Sequence, residues 1–564
     1  MMDRKDILNN IRNIKEISVL IVGAGINGAG LYRELTLQGI PTILIDKHDF
    51  SSGASAASSR MIHGGLRYLE NNEAQLVKES LMERNRLILN AAHYVKPLPT
   101  TIPIFSWFSG TLSALPKFFG RPTRNVGRGA LIVKLGLSLY DFYTRKQRIL
   151  PKHIFTSRKK ALGKRPELNP GIIGTATYFD AWISYPERLC LELIKDSNLL
   201  EHNSLAINYM SLEKSSYDTV VVKDKTTGEC LTLKPDIVVN ATGAWIDLTN
   251  MALGKKSQFI GGTKGSHLVI DNKELIKATQ GQMLFYENED GRICILFPFQ
   301  GKVLVGSTDI KIDNPEEAIC HNDEVEYMLN AVKQIFPNIK ISNSDVVFQF
   351  CGVRPLPNSN SDVTAQISRN HSIEIIPPSK ANKYPIYSLV GGKWTTFRAF
   401  SEKTADDIFA ILNVSRRMYT RDISIGGGKN FPKDMLERKK WIDKMHSQSG
   451  LSLGKLETLL ERYGTEAEPV VAYMVKDNDQ PLEFHKEYTC REIMYLVRNE
   501  YVVHLDDLIL RRTTIALLGE LTYSLLKEIG SIVGKLNNWS ENTVEKEINR
   551  TVEILSHKHN LKLK

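Results

Sequence analysis

Cysteine is scarce in this 564-residue chain, with six residues at positions 190, 230, 294, 320, 351 and 490. They form no C-x-x-C pair and keep no metal-like spacing to histidine. That excludes a disulfide framework and a cysteine-rich metal site, and predicts scattered buried thiols in a reducing compartment. No apolar run is long enough to cross a bilayer. The N-terminus mixes charges of both signs (Asp3, Arg4, Lys5, Asp6) and has no apolar signal core. An intracellular protein, not integral to a membrane, is expected. Acidic residues are missing from one stretch, between Glu83 and Asp141. That span carries Lys96, Lys117, Arg121, Arg124, Arg128 and Lys134 among Phe105, Trp107, Phe108, Phe118 and Phe119. It reads either as a surface docking onto anionic lipid headgroups or as a merely basic lid. The rest of the net charge of +10 is spread out, so no nucleic-acid partner is expected. Hydrophobic and charged contents of 42% and 24% are those of a globular protein. The length allows two or three domains.

What is present is glycine in a telling place. The apolar run Val19-Leu20-Ile21-Val22 leads into Gly23-Ala24-Gly25-Ile26-Asn27-Gly28, and a helical pattern follows. This is the strand-turn-helix of a dinucleotide-binding unit. Gly23 permits the turn, Gly25 lets backbone approach a pyrophosphate, and Gly28 lets helix and strand pack closely. Amides at the helix start face the phosphate charge. A second strand, Pro41-Thr42-Ile43-Leu44-Ile45, ends on Asp46, the acid expected to hold a ribose hydroxyl; FAD or NAD is favoured over NADP.

Further along, Ser51 to Arg60 is a stretch of small polar residues that lets backbone and hydroxyls approach a flat ligand. It runs into His63-Gly64-Gly65-Leu66-Arg67-Tyr68. The strand Ile237-Val238-Val239 ends in Asn240-Ala241-Thr242-Gly243-Ala244-Trp245, a second approach to the dinucleotide in the same sheet. Alternating strands at His267–Ile270, Ile293–Phe297 and Val303–Val305 predict an antiparallel cap. Leu389-Val390-Gly391-Gly392-Lys393 is again strand then turn, with a helix from Thr395 to Ile411 aimed at the cofactor. After a flexible link at 425–430, apolar spacing near 3.6 predicts helices at Lys433–Lys444, Gly454–Tyr463, Cys490–Val503, Leu505–Leu518 and Glu520–Leu536. Residues 1–17 read as a polar helical extension without chemistry. The Asp506-Asp507…Arg511-Arg512 cluster reads as structural, docking the helices to the dinucleotide-binding domain or to a second copy in a homodimer.

The glycine motif, the Ser/Ala loop and His63–Leu69 together resemble FAD-dependent glycerol-3-phosphate dehydrogenases. Thr263–His267, Gly306–Asp309, Gly352–Leu356, Ile367–Arg369, Gly391–Thr396 and Asp506–Thr513 follow in the family's order, so the resemblance covers nearly the whole chain. It implies an α/β fold: a Rossmann-type FAD-binding domain with an antiparallel-sheet substrate/cap domain, then a C-terminal all-helical domain. The flavin region is expected over 1–425, with FAD-binding segments near 17–80, 230–250 and 385–412, and the helical domain over 426–564. The implied cofactor contacts are Gly23, Ala24, Gly25, Asn27, Gly28, Asp46, Lys47, Ser55, Ser58, Ser59, His63, Gly64, Ala241, Thr242, Gly243, Trp245, Gly392, Trp394 and Thr395. Arg67, Tyr68, Arg354, Arg369 and Lys393 are the implied substrate set, since a phosphate dianion needs cations, preferably guanidinium forks.

His267 is the first candidate for general base, with Arg354 as the alternative for polarising the hydroxyl and Lys393 in the active-site set. No metal is expected. The implied reaction is oxidation of sn-glycerol 3-phosphate to dihydroxyacetone phosphate. Electrons would pass to a membrane quinone, in an enzyme lying against the inner face of the cytoplasmic membrane. Competing readings are a glycerol-3-phosphate oxidase using oxygen, an amino-acid or amine oxidase, and a non-catalytic dinucleotide sensor.

Overall fold

The structure is a computed structural model that describes residues 3–65, 73–108, 129–145, 148–198, 204–288, 290–359 and 368–564. Its first sheet runs in the order Ser372–Ile376, Ile386–Val390, Cys230–Asn240, Glu16–Val22, Thr42–Ile45, Leu205–Ile207. The glycine-motif strand Glu16–Val22 sits centrally, parallel to both Cys230–Asn240 and Thr42–Ile45. Its β-branched run is buried because helices cover the sheet, the usual setting of parallel strands. The helix Ile26–Thr36 packs against the helices Pro186–Asn198 and Phe397–Leu412. Gly30 allows this approach, since a Cβ there would lie 2.6 Å from the Phe397 ring. The N-terminal helix Arg4–Asn13 is less polar in its role than its composition predicts. Ile7, Leu8 and Ile11 are buried in the core beside this sheet.

The second sheet runs Ile310–Lys311, Thr263–Ile270, Lys302–Gly306, Ile293–Phe299, Met283–Glu287, Val95–Ile104, Gly174–Ile183, Met61–Ile62. Val346–Arg354 pairs with the other edge of Thr263–Ile270. Its pairings are antiparallel as the alternation predicts, except Met283–Glu287 with Val95–Ile104. One face lines the cavity described below, and on that same face Phe297, Phe299, Phe348 and Leu304 join Leu459, Leu508 and Leu526 of the C-terminal helices in one core. The other face, through Leu268, Ile270 and Val303, packs on the helix Asn322–Ile335.

Those helices include Met435–Ser449, Leu453–Tyr463, Cys490–Asn499, Tyr523–Asn537 and Glu541–His559. Each starts on an oxygen-bearing cap (Asp434, Ser452, Thr489, Thr522, Ser540) that accepts from an amide three residues on. The helix expected over Leu505–Leu518 does not run through. Leu505–Asp507 widens into a π-turn at Leu508–Arg512 and stops at Thr513. On a regular helix adjacent side chains diverge by about 100°. The wide turn instead lets neighbouring Arg511 and Arg512 reach one carboxylate, that of Asp49.

Two other expectations need correcting. Cys190, Cys294 and Cys320 are buried, but Cys230 is exposed and Cys351 and Cys490 are half-buried. The acid-free Arg84–Tyr140 stretch is not uniformly a free basic surface either. Arg84 is buried on Asp180, Lys96 pairs with Glu461, and Tyr140 is buried. Lys117, Arg121, Arg124 and Arg128 lie outside the described residues.

Candidate active site

The glycine turn is as tight as its residues suggest. Gly23 has φ +101°, and a Cβ there would meet the Ala241 carbonyl oxygen at 2.7 Å. A Cβ on Gly28 would lie 1.9 Å from the Gly23 carbonyl oxygen, so no other residue fits either position. Asp46 accepts from the Ala24 amide (2.7 Å) and the His48 amide (2.9 Å), and burial pushes its carboxyl up to about 6. Ser55 Oγ accepts from the Ile26 amide at 2.9 Å, while Trp394 Nε1 donates to the Ser55 carbonyl at 3.0 Å. The Ser/Ala loop is thereby stapled to both the first and the last segment of the sheet. Asn27 Nδ2 donates to the Gly391 carbonyl at 3.2 Å, and its buried Oδ1 meets no partner among the described residues. Glycines packed against backbone, an acid at the strand end and an orphaned amide oxygen fit a dinucleotide.

A cavity of about 930 Å³ opens between the two sheets. Of the predicted cofactor contacts, Gly23, Gly25, Asn27, Asp46, Lys47, Ser55, Ser58, Ser59, His63, Ala241, Thr242, Gly243, Trp245, Gly392, Trp394 and Thr395 line it. Three do not. Ala24 lies behind the turn, its amide spent on Asp46. Gly28 serves helix–strand packing, with its Cβ position filled by backbone. Gly64 donates to Tyr140 Oη at 2.9 Å, and a Cβ there would strike Leu81 and Tyr140. Arg67 and Tyr68 lie outside the described residues.

His267, Arg354, Arg369 and Lys393 line the same cavity, brought from four separate segments. His267 stands in the middle of the strand Thr263–Ile270, not at its start. Burial, with Arg354 and Arg60 nearby, pulls its imidazole down to about 3, so it is neutral. Arg354 donates to Asp309 Oδ1 (3.1 Å), Ser307 Oγ (2.9 Å) and the Thr308 carbonyl (3.1 Å). Gly265 makes room for it, since a Cβ there would lie 2.1 Å from the guanidinium. Arg369 approaches the other Asp309 oxygen at 3.3 Å. Lys393 Nζ donates to Ser80 Oγ at 3.1 Å, and burial pulls its amine down to about 7. His63, beside Lys393 and Arg84, is driven down to about 3, chiefly by burial.

Sequence reasoning missed Asp309 and Ser80. Asp309 was visible in Gly306-Ser307-Thr308-Asp309, but its sharing by two arginines is a tertiary fact; Ser80 carries no local signal. It also missed a strap on the cavity wall. Glu316 Oε1 accepts from Lys47 Nζ (2.5 Å) and Trp245 Nε1 (2.8 Å), and Lys558 of the last helix donates to the Glu316 carbonyl at 3.3 Å.

The parallel sheet with its glycine turn, the antiparallel cap and the cation-lined cavity define a flavin-dependent oxidoreductase. Residues 18–381 match the family described as FAD dependent oxidoreductase, and residues 418–544 match the C-terminal domain of alpha-glycerophosphate oxidase. A glycerol-3-phosphate dehydrogenase of Synechocystis is 30% identical over 97% of this chain and 98% of its own. An aerobic glycerol-3-phosphate dehydrogenase of Staphylococcus haemolyticus is 27% identical over 98% and 97%. The crystal structure of the Bacillus halodurans glycerol-3-phosphate dehydrogenase complexed with FAD superimposes with a TM-score of 0.77, at 23% identity, covering 98% of this chain and 97% of that one. The chain belongs to the glycerol-3-phosphate dehydrogenase family of FAD-dependent oxidoreductases.

Proposed function

We propose that this protein oxidises sn-glycerol 3-phosphate to dihydroxyacetone phosphate and passes the electrons to a quinone at a membrane surface. The observation that carries the reading is the convergence of Arg354, Arg369 and Lys393 on the cavity that also holds His267. Guanidinium forks beside an ammonium suit a phosphate dianion, whereas an amino-acid carboxylate needs one arginine. Asp309 orients both guanidiniums without neutralising the pair. FAD, when bound, supplies the acceptor for the hydride leaving C2.

The chain's own residues do the rest. Arg354, Arg369 and Lys393 hold the phosphate and so place the secondary alcohol. His267 is neutral and takes the hydroxyl proton; the bound dianion offsets Arg354 and eases formation of the imidazolium. The loop at 51–59 and the turn at 391–395 cradle the cofactor and exclude water.

The membrane part rests on a different surface. Trp107 and Phe108 are 62% and 73% exposed, and the helix Ala130–Thr144 shows Leu131, Leu135 and Phe142 to solvent beside Lys134. Apolar tips flanked by basic residues suit the headgroup boundary of an anionic leaflet. The neutralised triple variant of Arg121, Arg124 and Arg128 is then expected to lose binding to anionic vesicles; unchanged salt-sensitive binding counts against the surface. Adding glycerol 3-phosphate to the holoenzyme should bleach its flavin absorbance. Reoxidation by a soluble quinone without hydrogen peroxide supports the dehydrogenase, and stoichiometric peroxide under air supports the oxidase.

A further inference from the structure

Ser59 Oγ lies 2.7 Å from His267 Nε2. The ring between them has nowhere to turn. On one side Phe350, its partner on the neighbouring strand, stacks at 5.0 Å between centroids and 11° between planes. On the other, Gly306 pairs with His267, and even a Cβ there would come within 2.2 Å of His267 Cδ2. His267 Nδ1 is buried and meets no hydrogen-bond partner among the described residues. A proton coming from the cavity therefore cannot reach Nδ1. It must arrive at Nε2, and Ser59, which itself lines the cavity, stands at that nitrogen.

We propose that Ser59 is a further catalytic residue, a hydroxyl relay through which the substrate's C2 hydroxyl proton reaches His267 Nε2. This rests on the reading of His267 as the base. Ser59 Oγ–H donates to the Nε2 lone pair, and its own oxygen accepts from the substrate hydroxyl. The substrate O–H bond breaks and its proton passes to Ser59 Oγ while the C2–H bonding pair leaves as hydride, for which FAD, when bound, would be the two-electron acceptor. The Ser59 proton passes to Nε2, and the electrons of the broken O–H bond close the ketone. The substrate leaves as dihydroxyacetone phosphate, with imidazolium at His267 and Ser59 restored. Arg354 and Arg60 are the charged groups facing the ring, and both favour prompt return of the proton to solvent. A hydroxyl poised between a base and a substrate oxygen is worth roughly 100-fold in such a transfer.

The test is single-turnover flavin reduction in holoenzyme, followed by absorbance. In the unmutated enzyme the rate in mixtures of light and heavy water should fall on a bowl-shaped curve, because two protons move together; a straight line overturns the relay. Ser59→Ala, matched for FAD content, should reduce its flavin about 100-fold more slowly with a KM for glycerol 3-phosphate within twofold of the parent. Ser59→Thr should recover most of the rate. Full-rate reduction in Ser59→Ala overturns the relay while leaving the base reading in place if His267→Gln is slow. Full-rate reduction in His267→Gln overturns both.

Discussion

Two arginine–aspartate clusters border the same cavity, one at the domain junction and one around Arg354, and use the same chemistry to opposite ends. At the junction Asp49 takes two hydrogen bonds of 2.8 Å from Arg512 and a third of 2.5 Å from Arg511. Arg511 also reaches Asp507 at 2.7 Å, and Tyr209 Oη donates to that carboxylate at 2.5 Å. The guanidiniums hold the Asp49 carboxyl down at about 2 despite complete burial. Around Arg354 the proportions are reversed. One acid, Asp309, divides its two oxygens between Arg354 and Arg369 and remains partly exposed with them. A buried network of matched charges can only hold parts together, since removing either partner strands the other. Two guanidiniums on one acid beside an open volume suit an anionic ligand, as the proposed function requires.

That contrast breaks most visibly at Asp49. Asp49→Ala leaves two arginines stranded in the interior and should cost about 3–5 kcal/mol of stability. Urea unfolding of the holoenzyme measures it, while the KM for glycerol 3-phosphate stays within twofold. Arg369→Ala should do the reverse. Loss of a charge-assisted hydrogen bond of about 1.5–3 kcal/mol raises KM roughly 10- to 150-fold. Its unfolding midpoint should stay close to the parent's; an unchanged KM removes Arg369 from the phosphate clamp.

Lys393 sharpens the comparison through pH. Burial places its amine at about 7, so the cation that favours the substrate is present below that pH and lost above it. The kcat/KM for glycerol 3-phosphate should fall by about tenfold per unit on the alkaline side, the slope of one lost proton. Lys393→Arg, which does not titrate in this range, should move that limb out of view. The smallest effect is expected at the strap. Glu316 joins Lys47 and Trp245 through a partly exposed ion pair, worth about 0–1 kcal/mol. Glu316→Ala should speed FAD release, read by flavin fluorescence, by no more than about fivefold.

Much of the scaffold was legible residue by residue. The run Val19–Val22 into Gly23-x-Gly25-x-x-Gly28 could fold in few other ways, and apolar spacing near 3.6 marked helices such as Leu453–Tyr463 and Tyr523–Asn537. The apolar strand His267–Ile270 foretold the cap sheet, although it proves buried on both faces rather than alternating. The failures share a cause as well. The Leu505–Leu518 pattern has helical spacing, yet Arg511 and Arg512 are pulled onto Asp49, 462 and 463 residues away, and the helix gives way at that point. Arg84 and Lys96 look like free surface cations only until Asp180 and Glu461 arrive from elsewhere in the chain.

By itself the sequence determined the dinucleotide turn, the division into a sheet-built flavin region and a helical tail, and the types of residue the chemistry needs. These depend on steric freedom and periodicity, which act between near neighbours. Only the tertiary structure decided which charges meet. It set Ser59 against His267 across 208 residues of chain, gave Asp309 to two arginines, and tied Glu316 to Lys47 and Trp245. Each of those contacts joins segments distant in the chain, and nothing local to either partner records it.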